Sequence, residues 1–175
     1  KERPVSDERI AELVKEAVKH SPSAFNSQSG RAVILLGEHH DALWDETREI
    51  LRKIVPADAF AKTDEKITSF RNGYGTVLFF EDQNVVKGLQ DSFPLYKDNF
   101  PTWSLHASGM LQFVVWTVLE AEGLGASLQH YNGLIDGFVA KRWNIPAHWK
   151  LQSQLVFGKP SAAPAEKQFS PIEER

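Results

Sequence analysis

The sequence contains no cysteine. That absence removes disulfides, thiolate nucleophiles, iron–sulfur clusters and zinc–cysteine sites together, so any redox chemistry must be carried by something other than sulfur. Long apolar runs are missing too. The longest, Phe113 to Leu119, is broken by Thr117, whereas a membrane-spanning helix needs about 20 apolar residues. No signal-peptide pattern opens the chain, and a cytoplasmic location is the expectation. Nor does charge of one sign dominate: 20 Lys and Arg are scattered among 23 Asp and Glu, for a net charge of -3. Without a basic stripe, neither a phosphate backbone nor a membrane surface is a promising partner. A G-x-S-x-G elbow and a P-loop are likewise absent.

What is present is a chain of 175 residues, long enough for one sizeable core and short enough that residues 1–175 form a single domain. Ser6, Asp7 and Glu8 supply a cap and negative charge for a helix start, and Ile10, Leu13, Val14, Ala17 and Val18 share one face. That helix must end by His20, because Pro22 disfavours helical geometry at Ser21. Ala32 to Leu36 has the fully apolar character of a buried strand. Leu43, Thr47, Ile50, Leu51 and Ile54 mark a second helix, and Pro56 either ends it or starts another, weaker helix that could reach Phe70. Thr76 to Phe80 is a second strand after the Asn72-Gly73 turn signal. Glu81 to Phe100 reads as a short helix and an irregular connection. From Thr102 to Glu122 runs the longest helix, apolar on most sides and therefore buried on most sides, at the domain centre or a dimer seam. Ser127 to Gln129 is extended, Leu134 to Trp143 helical, and Leu151 to Phe157 alternates like a strand. The proline-bearing tail from Gly158 is irregular and is expected to lie along a neighbour. Helices interspersed with strands make an α+β sandwich.

Two polar segments could carry chemistry. Ser21-Pro22-Ser23-Ala24-Phe25-Asn26-Ser27-Gln28 places three hydroxyls with Asn26 and Gln28 between a helix and a strand. Such groups donate and accept alike, as the edge and ribityl chain of a flavin require. Composition alone favours a solvated connector instead. Gly123-Leu124-Gly125 is followed by Gln129-His130-Tyr131-Asn132. It is no dinucleotide fingerprint, since Leu128 occupies the third glycine position, and a helix C-cap at Gly123 explains the glycine by itself. His39-His40-Asp41 reads as a helix start, because neighbouring helical side chains diverge and no third metal ligand has suitable spacing. Glu81-Asp82 reads as a solvated strand end more readily than as an acid–base pair. Trp103, Trp116, Trp143 and Trp149 read as core more readily than as a stacking surface.

In combination, Ser21-Pro22-Ser23 with Asn26 and Gln28, the long apolar helix, the Gly-Leu-Gly turn and Gly158-Lys159-Pro160 resemble the nitroreductase family. Phe100 to Ser104, Gly109 to Gln112 and Gln129 to Asn132 are similar to its fatty-acid-repression and copper-induced branch. The resemblance spans essentially the whole chain. It implies a three-layer sandwich with a central, mostly antiparallel sheet flanked by helices, and a homodimer whose seam holds the long helix. It implies FMN at the subunit interface, contacted by Ser21, Pro22, Ser23, Asn26 and Gln28 on one side and by Gln129, His130 and Tyr131 on the other. A basic tail residue would reach the FMN phosphate, Lys167 matching best and Lys159 second. Members of the family carry an arginine-rich helix ahead of the region where Lys1 stands, and its loss would weaken the cofactor grip. Gly133 replaces the branch's proline and would loosen a turn near the flavin.

The function so implied is transfer of electrons from NAD(P)H through FMN to a nitroaromatic or quinone-like acceptor, with ping-pong kinetics. No metal and no indispensable acid or base are expected, although His130 and Tyr131 are candidates to protonate the acceptor. The alternative is a regulatory or FMN-binding protein that keeps the fold without turnover.

Overall fold

Local chemistry sets the ends of most elements. In the computed structural model, which describes residues 5–174, the Ser6 hydroxyl accepts the Arg9 backbone N–H at 3.1 Å and helix α1 runs Asp7–His20. It stops where Ser21, ahead of Pro22, turns extended at ψ 131°. Strand β1 comes next at Gly30–Leu36, then α2 at Gly37–Ile54 and α3 at Phe60–Arg71. Residues Pro56 to Ala59 form a turn closed by the Ala59 N–H on the Pro56 carbonyl, so α3 starts later than the sequence pattern suggests.

Strand β2, Gly75–Asp82, leads into α4, Gln83–Ser92, and a short 3-10 turn at Pro94–Tyr96. Then come α5, Phe100–Ala121, strand β3, Gly125–Gln129, α6, Asp136–Trp143, and strand β4, Trp149–Gly158. Gly123 ends α5 in the left-handed region at φ 81°, as a helix C-cap glycine does. The tail beyond Gly158 is exposed and irregular apart from a 3-10 turn at Ile172–Glu174.

The four strands form one sheet in the order β1-β2-β4-β3, every neighbouring pair antiparallel. Strand β2 is central and buried along its whole length. Its alternation divides the core in two. Leu78 and Phe80 pack with Trp44 of α2, Ile67 of α3 and Val139 of α6. Val77 and Phe79 pack with Val14 of α1 and with Leu111 and Val115 of α5. Helices therefore cover both sheet faces, the three-layer α+β sandwich the sequence led us to expect.

Two expectations need correction. Strand β1 is only half buried over most of its length, because it lies at a sheet edge and its apolar side chains line an open cleft. Glu81 and Asp82 are not solvated: they are 1% and 6% exposed. The end of β2 is roofed by α5 and walled by the residues entering β1, so its last two carboxylates are enclosed. Polar pins complete the packing. The His40 ring lies 2.9 Å from Thr76 Oγ1 and 3.1 Å from the Arg71 carbonyl, while Trp44 Nε1 donates to the same hydroxyl at 3.0 Å. His40 thus ties α2 to β2 and α3. His39 instead accepts from Trp143 Nε1, and among the described residues no acidic or histidine cluster is placed to hold a metal ion.

Candidate functional site

Three elements meet around a cleft of about 520 Å³: the C-terminal half of α1, the edge strand β1 and the middle of α5. Its walls are apolar, from Val14, Val18, Ala32, Ile34, Ala107 and Leu111. Its mouth is polar and basic, from Lys15, Lys19, Ser21, Ser23, Gln28 and Arg31. Pro22 and Trp149 complete the rim, and Glu81 reaches the inner wall.

The loop entering β1 is held in an unusual shape. Phe25, Asn26 and Gln28 have φ of 57°, 51° and 51°, left-handed values that non-glycine residues seldom adopt and that cluster at functional sites. Two things over-determine that shape. Ser23 Oγ accepts the Gln28 backbone N–H at 2.9 Å, and the Asn26 N–H donates to the Ser23 carbonyl at 3.0 Å. The Phe25 ring meets Phe93 at 4.9 Å, Phe100 at 5.3 Å and Trp103 at 6.2 Å. An aromatic cluster thus anchors the loop to α5 and to the turn that follows α4, while Ser21, Pro22, Ser23 and Gln28 face the cleft.

At the inner end stands Glu81. Its Oε2 accepts from Ser29 Oγ and from Ser104 Oγ, each at 2.6 Å. Its Oε1 has no hydrogen-bond partner. Burial pushes this carboxyl above the usual carboxylate range, against the opposing pull of the two serines and Arg31. Arg31 is largely engaged elsewhere: it pairs with Asp82 at 2.9 Å and lies 5.6 Å from the Trp149 ring centre. Asp82 in turn caps α4 by accepting the Asn84 N–H at 3.0 Å. Ser21 Oγ at the cleft mouth is also buried without a partner.

The residues singled out in the sequence fall into separate places. Ser21, Pro22, Ser23 and Gln28 share the cleft; Asn26 is exposed on the 3-10 turn beside it. Gln129, His130 and Tyr131 lie at the far edge of the sheet, on and after β3. Three strand spacings separate the sheet edges, roughly 14 Å. Gln129, His130 and Tyr131 therefore do not line the cleft that Ser21, Pro22, Ser23 and Gln28 share. The Tyr131 N–H donates to Gln154 Oε1 at 2.7 Å, its ring packs edge-on against Trp44, and burial raises its phenol above the ordinary range. His130 is exposed. Lys159 borders a separate hollow with Asn72 and Tyr74, and Lys167 is exposed on the tail near Phe169.

Sequence reasoning missed Lys15, Lys19 and Arg31 as lining, and it set Glu81 and Trp149 aside as a strand end and a core residue. One signal was available: Ser104, Ser108 and Gln112 recur every fourth residue within an apolar helix. All three are buried, Ser104 on Glu81 and Ser108 accepting from Gln112 Nε2 at 2.9 Å. A polar stripe at helical spacing in such a helix implies a buried polar partner.

Known proteins resemble this chain throughout. The profile of the Nitroreductase family matches residues 1–159. HBN1 of Saccharomyces cerevisiae, provisionally named a nitroreductase, is 42% identical over 160 residues, covering 91% of this chain and 79% of the relative. Nitroreductase FRM2 of the same yeast is 41% identical over 153 residues, covering 87% and 75%. The structure of nitroreductase CinD from Lactococcus lactis in complex with chloramphenicol superposes with a TM-score of 0.89 at 51% identity, over 99% of this chain and 89% of that one.

Proposed function

The chain belongs to the nitroreductase family, and from that membership we propose an FMN-dependent oxidoreductase that passes electrons from NAD(P)H to a flat nitroaromatic or quinone-like acceptor. One observation carries the reading beyond the family. Ser21 Oγ and Glu81 Oε1 are buried and unpartnered, and both side chains line the same apolar-walled cleft. A buried polar atom left unpaired costs about 1–3 kcal/mol, and a ligand that supplies the missing partner explains both at once.

The residues present fit FMN. Apolar walls suit a planar ring system, Ser21, Ser23 and Gln28 suit its carbonyls and ribityl hydroxyls, and Lys15, Lys19 and Arg31 make the mouth basic for a phosphate. Bound FMN would supply the redox chemistry between NAD(P)H and the acceptor, in the ping-pong order we propose. The chain's own residues orient, exclude water and hold protons. Tyr131, whose phenol is raised by burial, keeps its proton and is available to donate it; His130 is the second candidate.

A homodimer reconciles the two separated halves. Leu105, Met110 and Phe113 on α5 are exposed, an apolar helix face that a second copy would cover. In such a dimer Ser21 to Gln28 of one chain and Gln129 to Tyr131 of its partner share a flavin, and a tail lysine, Lys167 or Lys159, reaches the phosphate. CinD has been captured with 4-nitrophenol and with chloramphenicol, which supports a small aromatic acceptor here. Purified protein should be yellow, lose that colour on anaerobic addition of NADH or NADPH, and regain it with a nitroaromatic compound. Flavin that stays oxidised with both nucleotides would favour a binding protein without turnover, and a colourless protein that takes up no FMN would end the reading altogether.

A further inference from the structure

We propose that Glu81 is a ligand-binding residue of the cleft, donating a hydrogen bond from a protonated Oε1 to a carbonyl or ring-nitrogen acceptor of the planar ligand. The inference rests on the flavin reading and goes beyond it by assigning a proton and its direction. Three features of the geometry carry it. Both serine hydroxyls, Ser29 and Ser104, donate to Oε2 at 2.6 Å. That oxygen is thereby made the carbonyl-like end, and Oε1 is left to hold the proton. Oε1 has no hydrogen-bond partner in the chain and Glu81 lines the cleft, so a ligand that displaces the side chains covering this oxygen is the acceptor left to it. Finally, the cleft beside Glu81 is lined by Gly30, Ala107 and Leu111, whose side chains offer an anion at Oε1 no hydrogen-bond donor.

The charges facing Glu81 do not rescue its ionised form. Arg31 from β1 is bound to Asp82, which sits next along β2 and repels a second anion. His148, before β4, lies 3.8 Å from that same Asp82 carboxylate. Lys15 and Lys19 of α1 stand at the cleft mouth, while α5 presents the uncharged Ser104 to the carboxyl and lines the cleft with Ala107 and Leu111. A ligand that fills the cleft expels water and tilts the balance further towards the neutral acid. Binding and protonation are then linked: at a pH where free Glu81 is ionised, the ligand must bring a proton in with it.

The test uses riboflavin, whose lack of phosphate removes one competing titration, with FMN as the second probe. Quenching of flavin fluorescence gives Kd from mildly acidic to mildly alkaline pH for the wild type and for Glu81→Gln. A glutamine carbonyl accepts from both serines while its amide N–H₂ takes the Oε1 position, a donor at every pH. Wild-type Kd should rise about tenfold per pH unit above the carboxyl's pKa, whereas Glu81→Gln should bind as tightly as the acidic wild type and stay flat. The lysine and arginine charges are common to both proteins and cancel in the comparison. Parallel pH profiles would overturn the role of Glu81 and leave the flavin reading standing. A wild type that binds neither riboflavin nor FMN at any pH would remove the flavin reading and the assignment with it. Should Glu81→Gln fail to fold, wild-type calorimetry in buffers of different ionisation heat decides: uptake of about one proton per flavin above the pKa supports the assignment, and no uptake overturns it.

Discussion

At the residue scale, Ser21 and Glu81 separate ligand recognition from stability. The Ser21 hydroxyl has no partner to lose, so Ser21→Ala should leave the urea midpoint unchanged or slightly raised. The same change should weaken FMN binding about fivefold, the worth of one hydrogen bond near 1 kcal/mol. Equal loss of binding and stability would show the hydroxyl to be structural. For Glu81 the sign runs the other way from most carboxylates. Burial holds its folded pKa above the ordinary value of 4.5, so the folded chain keeps a proton that the unfolded chain has released. Its stabilising contribution is complete below pH 4.5 and is lost as pH rises through the folded value. The unfolding free energy of Glu81→Gln should therefore gain on the wild type with rising pH over that window. Chemical denaturation at several pH values would read the gap, and a constant gap would contradict it. The sequence showed Ser21, Pro22, Ser23 and Gln28 as a polar cluster, because side-chain chemistry is local. It could not show Glu81 as buried, because that depends on Ser104, far along the chain, folding over it.

At the element scale, the sheet's close contacts are specific and testable. A Cβ added at Gly75 would lie 2.5 Å from Phe157 Cζ, 2.6 Å from Leu36 Cδ2 and 3.0 Å from the Leu35 carbonyl. Gly75→Ala should therefore lower stability by about 1–3 kcal/mol through overpacking, seen as an earlier urea transition. Helices α1, α2 and α5 were legible because their apolar spacing persists over many turns and their ends carry caps or breakers. The region from Glu81 to Phe100 was legible only in part. There α4 is capped by the Asp82 side chain, while the aromatics after it pack on Phe25 from a distant loop, a tertiary contact that no local pattern announces.

At the scale of the whole molecule, α5 gives one face to the sheet and leaves Phe113 67% exposed. Covering that face with a second copy predicts that the wild type sediments as a dimer and that Phe113→Asp shifts it towards monomer. The variant should keep its far-ultraviolet circular dichroism and lose flavin, because each proposed site takes residues from both chains. A monomeric variant that still holds FMN tightly would refute the shared site. Among the described residues no helix is long and apolar enough to cross a membrane, in keeping with the short apolar runs of the sequence.

By itself the sequence determined the features that depend on neighbours along the chain: helix periods, the Ser6 cap, the stop before Pro22, the Gly123 ending and the polar make-up of residues 21–28. The order of motifs was also enough for family resemblance. Tertiary structure alone decided the order of strands in the sheet, and with it the placing of Ser21 to Gln28 and Gln129 to Tyr131 at opposite edges. It decided as well that Glu81 is a buried acid with one free oxygen. Strand pairing and burial arise from contacts between residues far apart in the chain, whose energies carry no signature in local spacing.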